Sequence, residues 1–377
     1  MRVSSQMLLS LSDSLRRSGW RASFLFSSGP WAFNCLLRLF LVRCGCLLLR
    51  WPTTSLFFQG EVLAVKFSPD GRNIASAGVD RDVLIYNVYG EIATWQTLKG
   101  HSKAILDFRW STDGSQIYTA SADQTAAVWD VETGERLKKL KGHVGIVNAC
   151  SVASREAAEC PNRATYGCAS LFVTGADDGT TRVWDLRVRR SIKKYEHQYQ
   201  ILSVALDGHG GRVFSGCLDN TIRVYDLRGG DAESEVYEGH TDSVTGLSLS
   251  SSGTTLLSNG MDHTVRVWDI QPFVQGGKRH VAALRGATHN FEKNLLRVCW
   301  SPDEQLCSAG SADRHVCVWT VNEVLRDKGT GNPANLSPLL YRLPGHSGSV
   351  NDVCFHPTEP VIASASSDRT VFMGELS

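Results

Sequence analysis

The chain has 377 residues, 42% of them hydrophobic and 20% charged, and its 39 basic and 38 acidic side chains leave a formal charge of +1. That balance excludes a disordered polar tail, a collagen and a highly basic nucleic-acid arm. The 11 cysteines are odd in number and show no CxxC spacing, which argues against a disulfide framework or a zinc ribbon and for reduced, mostly buried thiols.

The first 59 residues stand apart in charge. They contain Arg2, Arg16, Arg17, Arg21, Arg38, Arg43 and Arg50, no lysine and one acid, Asp13. This local charge of +6 leaves −5 on residues 60–377, and a mildly acidic body argues against a broad electrostatic footprint on RNA or DNA. Cys35 to Trp51 is apolar but interrupted by Arg38, Arg43 and Arg50, short of the ~20 residues a membrane helix needs. A signal peptide would place its apolar core nearer the start; arginine and serine richness with a single acid is closer to a mitochondrial presequence.

From residue 60 the chain repeats. Asp80, Asp123, Asp178, Asp219, Asp262, Asp313 and Asp368 each precede by six residues an aromatic or its substitute: Tyr86, Trp129, Trp184, Tyr225, Trp268, Trp319 and Gly374. The intervals of 43, 55, 41, 43, 51 and 55 residues centre on the period of about 40–45 expected for four-stranded propeller blades. The first unit, from Gly60, has no histidine marker. The second opens on Gly100-His101 and runs through Ala104–Trp110, a turn at Thr112–Gly114, Gln116–Ala120 and Ala126–Trp129; this period-2 alternation between turns predicts antiparallel strands. The third opens on Gly142-His143 and carries an insertion, Ala153 to Cys168, that separates His143 from Asp178 by 35 residues where other units have 22. The fourth opens on Glu196-His197 and substitutes Tyr225 for tryptophan, and the fifth opens on Gly239-His240. In the sixth, His289 lies 24 residues before Asp313 and Ala309 stands where a hydroxyl is expected. The seventh opens on Gly345-His346 and ends with Gly374 in the aromatic position.

The recurring Gly-His and Trp-Asp markers resemble the WD-repeat family. The resemblance implies an all-β, seven-bladed WD-repeat β-propeller over 60–377, preceded by an unstructured or irregular segment 1–59, of which 54–58 is the stretch available to close the ring. In that family a turn aspartate, a histidine, a hydroxyl and a tryptophan form a hydrogen-bonded chain within one blade. The matching sets here are His101, Thr119, Asp123 and Trp129; His143, Thr174, Asp178 and Trp184; and His240, Ser258, Asp262 and Trp268. Three copies on one ring exclude the hydrolase triad that the residue types alone would invite. There is no phosphate loop, no HExxH and no nucleophile elbow; Gly276-Gly-Lys278 reads as a flexible loop, and no catalytic, cofactor or metal site is expected. Cys150, Cys217, Cys299, Cys317 and Cys354 sit in apolar strand contexts as buried thiols, whereas Cys160 and Cys168 fall in the third-blade insertion.

Finer features narrow the resemblance. Asp242–Ser250, Leu257–Asn259, Met261-Asp262, Thr264–Asp269 with Pro272-Phe273, and His289-Asn-Phe-Glu-Lys-Asn-Leu-Leu-Arg297 resemble the splicing members of the WD-repeat family, the subunits of the U5 small nuclear ribonucleoprotein. Asn87–Gly90, Thr133–Arg136 and Met373–Glu375 agree. This implies a non-enzymatic nuclear scaffold in the spliceosome, acting in pre-mRNA splicing as a monomeric ring docked beside the large U5 scaffold protein, with RNA contact minor and no membrane. Residues flanking the turn aspartates, Arg81, Asp177, Met261, His263, Arg314 and Arg369, are the candidate partner-facing positions. The basic run Arg182, Arg187, Arg189, Arg190, Lys193 and Lys194 reads as a solvated loop. A rival reading is a substrate receptor of a cullin-RING ubiquitin ligase, from the WDxR pattern Trp184–Arg187 with a partial copy at Tyr225–Arg228. Finally, Pro52–Gln59 is encodable by pyrimidine-rich codons followed by CAG, the form of a splice acceptor, so 1–59 is expected to be translated intron or upstream sequence.

Overall fold

The computed structural model describes residues 56–376 apart from 91–93, 154–170, 189, 209, 229–232, 275–278, 291, 293 and 322–338. The expectations for residues 1–55, for Cys160 and Cys168, for Gly276–Lys278 and for Arg189 lie outside the described residues.

The described chain forms seven four-stranded antiparallel sheets, a seven-bladed β-propeller. Blade 1 comprises β2 (Val62–Phe67), β3 (Asn73–Gly78), β4 (Val83–Asn87) and β5 (Thr94–Leu98); blade 2 comprises β6 (Ile105–Trp110), β7 (Gln116–Ser121), β8 (Thr125–Asp130) and β9 (Arg136–Lys141). Blade 3 follows with β10 (Val147–Val152), β11 (Leu171–Ala176), β12 (Thr180–Asp185) and β13 (Ser191–Glu196), and blade 4 with β14 (Ile201–Leu206), β15 (Arg212–Cys217), β16 (Ile222–Asp226) and β17 (Glu233–Tyr237). Blade 5 contains β18 (Val244–Leu249), β19 (Thr255–Gly260), β20 (Thr264–Asp269) and β21 (His280–Arg285); blade 6 contains β22 (Val298–Trp300), β23 (Leu306–Gly310), β24 (His315–Thr320) and β25 (Leu339–Pro344). Blade 7 takes β26 (Val350–Phe355), β27 (Val361–Ser366) and β28 (Thr370–Glu375) from the end of the repeat region. Its fourth strand is β1 (Leu56–Phe57), paired with Val371 and Thr370.

Burial follows position in the blade. Inner strands are covered on both faces, so β14 is apolar or small throughout and fully buried. Outer strands alternate: in β9, Arg136, Lys139 and Lys141 are exposed while Leu140 is buried. Apolar clusters fill the spaces between neighbouring blades, for example Leu171, Val173, Val183, Ile201, Val204 and Val213 between blades 3 and 4. Close approach there requires a small residue on the second strand. A Cβ on Gly175 would lie 2.6 Å from Ile201 Cγ2 of the next blade.

Adjacent blades meet at their inner strands, yet those strands belong to different sheets, and their backbone polar groups need partners from elsewhere. Side chains supply them. Asn148 Nδ2 donates to Ile201 O at 2.8 Å, Ser203 Oγ to Val244 O at 3.2 Å, Thr245 Oγ1 to Leu296 O at 3.0 Å and Asn351 Nδ2 to Val62 O at 2.9 Å. Asp107 accepts from Cys150 N at 3.1 Å, and Asp352, at the equivalent position of blade 7, accepts from Val65 N at 3.0 Å. Asp352 also holds Lys66 Nζ at 2.6 and 2.7 Å. Burial acts most strongly and lowers the Lys66 pKa, but the adjacent Asp352 carboxylate, with smaller contributions from Cys354 and Cys299, opposes it and the net shift is upward. Arg297, entering blade 6, reaches across the central channel: its Nη2 donates to Asn148 O of blade 3 at 2.6 Å, and its Nη1 lies 4.0 Å from Asp107 of blade 2.

Removing one charge of the Lys66–Asp352 pair leaves the other buried without compensation. Asp352→Asn is therefore expected to destabilise the ring by about 3–5 kcal/mol in urea denaturation, whereas the double change Lys66→Met with Asp352→Leu should recover most of it. An unchanged midpoint for the single variant would show that the pair does not hold blades 1 and 7 together.

Candidate interaction face and the blade networks

Each blade connects its second and third strands through a tight turn built on aspartate. Asp123 Oδ1 accepts from Thr125 N at 3.0 Å and from Thr125 Oγ1 at 2.5 Å, a local carboxylate-to-backbone bond that fixes the reversal. The same aspartate-to-backbone bond recurs at Asp178, Asp219, Asp262, Asp313 and Asp368. The next residue adopts a left-handed backbone in every blade. It is Arg81, Gln124, Asn220, His263, Arg314 and Arg369, with φ between 61° and 74°, and Gly179 in blade 3. L-residues other than glycine adopt this region infrequently. Because strand direction alternates within a blade, all seven turns project from the same end of the ring, beside the loops that lead into each inner strand.

Behind the turns lie polar chains. In blade 2 the Trp129 indole N–H donates to Thr119 Oγ1 at 3.0 Å, Thr119 is 2.7 Å from His101 Nε2, and His101 Nδ1 is 2.9 Å from Asp123 Oδ2. The direction follows from the carboxylate end: Asp123 only accepts, so Nδ1 carries the imidazole hydrogen, and in a neutral ring Nε2 then accepts from the Thr119 hydroxyl, which in turn accepts from the indole N–H. Burial lowers the His101 pKa against the opposing pull of Asp123, consistent with a neutral ring. Burial acts to raise Asp123, but bonds from Thr125 and His101 outweigh it and bring the carboxyl down to about 2. Blade 3 repeats the chain through Trp184, Thr174, His143 and Asp178 at 2.8, 2.7 and 3.1 Å. Blade 5 repeats it through Trp268, Ser258, His240 and Asp262 at 2.7, 2.6 and 3.0 Å.

Blade 7 holds a fourth chain. His346 bridges Ser364 at 2.8 Å and Asp368 at 3.0 Å, and Phe372 packs on the imidazole at 4.4 Å where other blades place tryptophan. The Gly345-His346 marker and its 22-residue interval were the signal for it; Gly374 in the aromatic position hid it. Blades 4 and 6 break the chain. Asp219 turns to Arg223 at 2.7 Å, and His197 instead approaches Thr181 of blade 3 at 3.2 Å and lies edge-on to Tyr225. Tyr225 stacks on Tyr195 with centroids 4.1 Å apart. In blade 6 the Trp319 indole donates to Arg285 O at 2.9 Å, Asp313 pairs with Arg342, and His289 sits against Asn259 of blade 5.

The six candidate partner-facing residues all lie on the turn end. Arg81, His263, Arg314 and Arg369 are exposed at left-handed positions; Asp177 and Met261 stand immediately before the turn aspartates and are half-buried. Two are tied internally: His263 Nδ1 accepts from His289 N at 2.8 Å and Asp177 Oδ1 from Asn148 Nδ2 at 2.6 Å. Arg187 lies at the other end of blade 3, held by both Asp185 oxygens through Nε at 3.0 and 3.1 Å and Nη2 at 2.6 Å. Cys150, Cys217, Cys307, Cys317 and Cys354 are buried free thiols, and Cys299 is half-buried. Sequence reasoning missed the inner-strand carboxylates Asp107 and Asp352; an acid inside an otherwise apolar strand was the available signal.

Thr119→Val strands a buried indole N–H and imidazole nitrogen, so it should cost about 2–4 kcal/mol in urea denaturation, whereas Asp313→Asn, facing the exposed Arg342, should cost less than about 1 kcal/mol. Equal losses would deny the closed chain any special weight. Burial brings His197, His280 and His289 each down to about 4, so the unfolded chain takes up their protons first as pH falls. Their stabilising contribution is complete above the unfolded value near 6.5 and declines between about pH 6.5 and 4, with uptake of about three protons on unfolding. A stability profile flat over that window would contradict these assignments.

Comparison with known proteins agrees with this architecture. The WD domain, G-beta repeat, matches residues 52–87, 93–130, 134–185, 189–226, 233–269, 283–320 and 337–373. The chain is 48% identical over 318 residues to the U5 small nuclear ribonucleoprotein 40 kDa protein of Homo sapiens, covering 84% of this chain and 82% of that one. It is 41% identical over 318 residues to the protein of the same name from Dictyostelium discoideum, with the same coverage of 84% and 82%. It is also 41% identical over 326 residues to pre-mRNA-splicing factor cwf17 of Schizosaccharomyces pombe, covering 86% and 88%. The chain belongs to the WD-repeat family, in the group that contains the U5 small nuclear ribonucleoprotein 40 kDa proteins.

Proposed function

We propose that the chain is a scaffold subunit of the spliceosomal U5 small nuclear ribonucleoprotein, acting in the nucleus in pre-mRNA splicing and without catalytic activity of its own. The observation that carries this reading is the 48% identity to the human U5 40 kDa protein, spread over 84% of this chain. The blade chains support it from the chemical side: His, Asp and hydroxyl groups that could serve catalysis are committed to one another inside four blades. The principal partner is the large U5 scaffold protein, met by the turn end of the ring through Arg81, Asp177, Met261, His263, Arg314 and Arg369; contact with RNA is minor. The rival ubiquitin-ligase reading depends on Arg187, whose guanidinium is already clamped by Asp185 at the end of β12.

A tagged copy purified from nuclear extract should bring down U5 proteins and U5 small nuclear RNA, identified by mass spectrometry and hybridisation. Recovery of a cullin adaptor in their place would overturn the proposal in favour of the rival. The pair of changes Arg314→Glu and Arg369→Glu should reduce U5 protein recovery several-fold with an unaltered melting temperature. Undiminished recovery would remove these arginines from the contact surface.

A further inference from the structure

The turn end of the ring is uneven. Between blades 3 and 4 it opens into a shallow, solvent-open cavity of about 450 Å³, whose lining includes Asp177, Asp178, His197, Tyr199, Gln200 and Leu218. Its walls are fixed by backbone bonds: His197 N donates to Gly179 O at 2.7 Å, and Leu218 N to Gln200 O at 3.0 Å. The loop entering blade 3 is pinned beside it, with Asp177 N donating to Ile146 O at 2.8 Å and Val144 N to Asp178 Oδ2 at 2.9 Å.

Two properties coincide here. Val144, Ile146, Tyr199 and Leu218 are all exposed, Val144 at 76% and Tyr199 at 50%. Single exposed apolar residues are ordinary, but Tyr199 and Leu218 line the same concavity, and Val144 and Ile146 lie on the loop whose backbone bonds Asp178 and Asp177 beside it; such grouping is a mark of interaction sites. The charge is one-sided. None of the lining residues is a lysine or arginine, and burial brings His197 down to about 4, so it is neutral at physiological pH. Asp178 is committed to His143, Thr180 and Val144 N. Asp177 uses Oδ1 for Asn148, and no hydrogen bond from a described residue reaches its Oδ2. The lining therefore includes a carboxylate whose Oδ1 is fixed by Asn148, in company with the exposed Tyr199 and Leu218.

We infer that the cavity between blades 3 and 4 is a docking site for an extended segment of a partner protein that presents a lysine or arginine next to a large apolar side chain. The cation meets Asp177, the apolar side chain packs on Tyr199 and Leu218 with Val144 and Ile146 at the edge, and Gln198 and Gln200 offer amides to the segment's main chain. Nucleic acid is disfavoured, because the fixed charge facing the cavity repels phosphate. The inference shares Asp177 with the proposed U5 contact surface but goes beyond the splicing role and does not depend on it: a ring that assembles elsewhere would keep this pocket, and the U5 contact also has Arg81, Met261, His263, Arg314 and Arg369.

The test uses a phage-displayed library of random dodecapeptides panned on the purified full chain. The enriched peptides should pair Lys or Arg with Leu, Phe, Tyr or Trp, and synthetic copies should lose at least about tenfold in affinity, by fluorescence polarisation, to each of Asp177→Asn, Tyr199→Ala and Leu218→Ser. Asp177→Asn retains the acceptor for Asn148, and the other two side chains are exposed, so matching melting temperatures will separate lost docking from lost folding. Absence of enrichment, a consensus without a basic residue, or peptides indifferent to these variants would overturn the inference. So would dimerisation of the chain abolished by Tyr199→Ala, which would give the patch to a second copy.

Discussion

Seven sheets set radially around an axis cannot hydrogen-bond edge to edge at their inner strands, because each inner strand is paired on one side only, within its own blade. Every inner strand therefore carries a row of backbone groups facing the neighbouring blade without a sheet partner. Polar side chains at two adjacent inner-strand positions, Asn148, Thr245 and Asn351 at the second and Asp107, Ser203 and Asp352 at the third, answer that constraint by bonding to the next blade's backbone. Apolar packing alone would hold the blades together but leave these groups desolvated and unpaired, at about 1–3 kcal/mol each. Arg297 adds a strut between opposite sides of the ring, fixing the channel at the level of Asn148 and Asp107.

The outer parts of the blades face a different demand. A bulky indole buried under the fourth strand needs an acceptor, and the hydroxyl, imidazole and carboxylate pass that need outward to the turn. The result couples the turn end to the blade interior: Asp123 simultaneously caps its own turn, receives the histidine and accepts from Ser102 N at 3.2 Å. Loops that would otherwise be free at the surface are thereby tied to the core, and the turn residues are displayed from a stiff base. Where the chain is broken, in blades 4 and 6, aromatic stacking and ion pairs on the outer strands take over.

Much of this was legible in the sequence because the repeat converts weak local signals into a strong one. Gly-His, the turn aspartate and the aromatic recur at fixed intervals, so strand order, blade number and three of the four closed chains could be read from spacing. What could not be read is whatever depends on contacts between blades. An acid inside the apolar strand around Asp352 marks it as unusual, but nothing local says that its partner is Lys66, 286 positions away. The departures of His197 and His289 were visible as altered markers, yet the partners they found, Thr181 and Asn259 of the preceding blades, were not. The cavity between blades 3 and 4 likewise joins a turn, a loop and a second turn from distant stretches of chain, each of which reads as ordinary polar surface in isolation.

The pairing of Leu56 with Val371 has a kinetic side. The two residues are 315 positions apart, whereas in blades 1 to 6 all four strands follow one another directly. Blades 1 to 6 can thus form in order by local hairpin pairing as the polypeptide is synthesised, but β1 has no partner until β28 has emerged, and closing so long a loop is slow. During that interval the nascent ring is an open arc with an unpaired edge at each end, and unpaired strand edges are prone to aggregation. The step that completes the propeller is thus also the point in its biogenesis at which a chaperone would have most to protect.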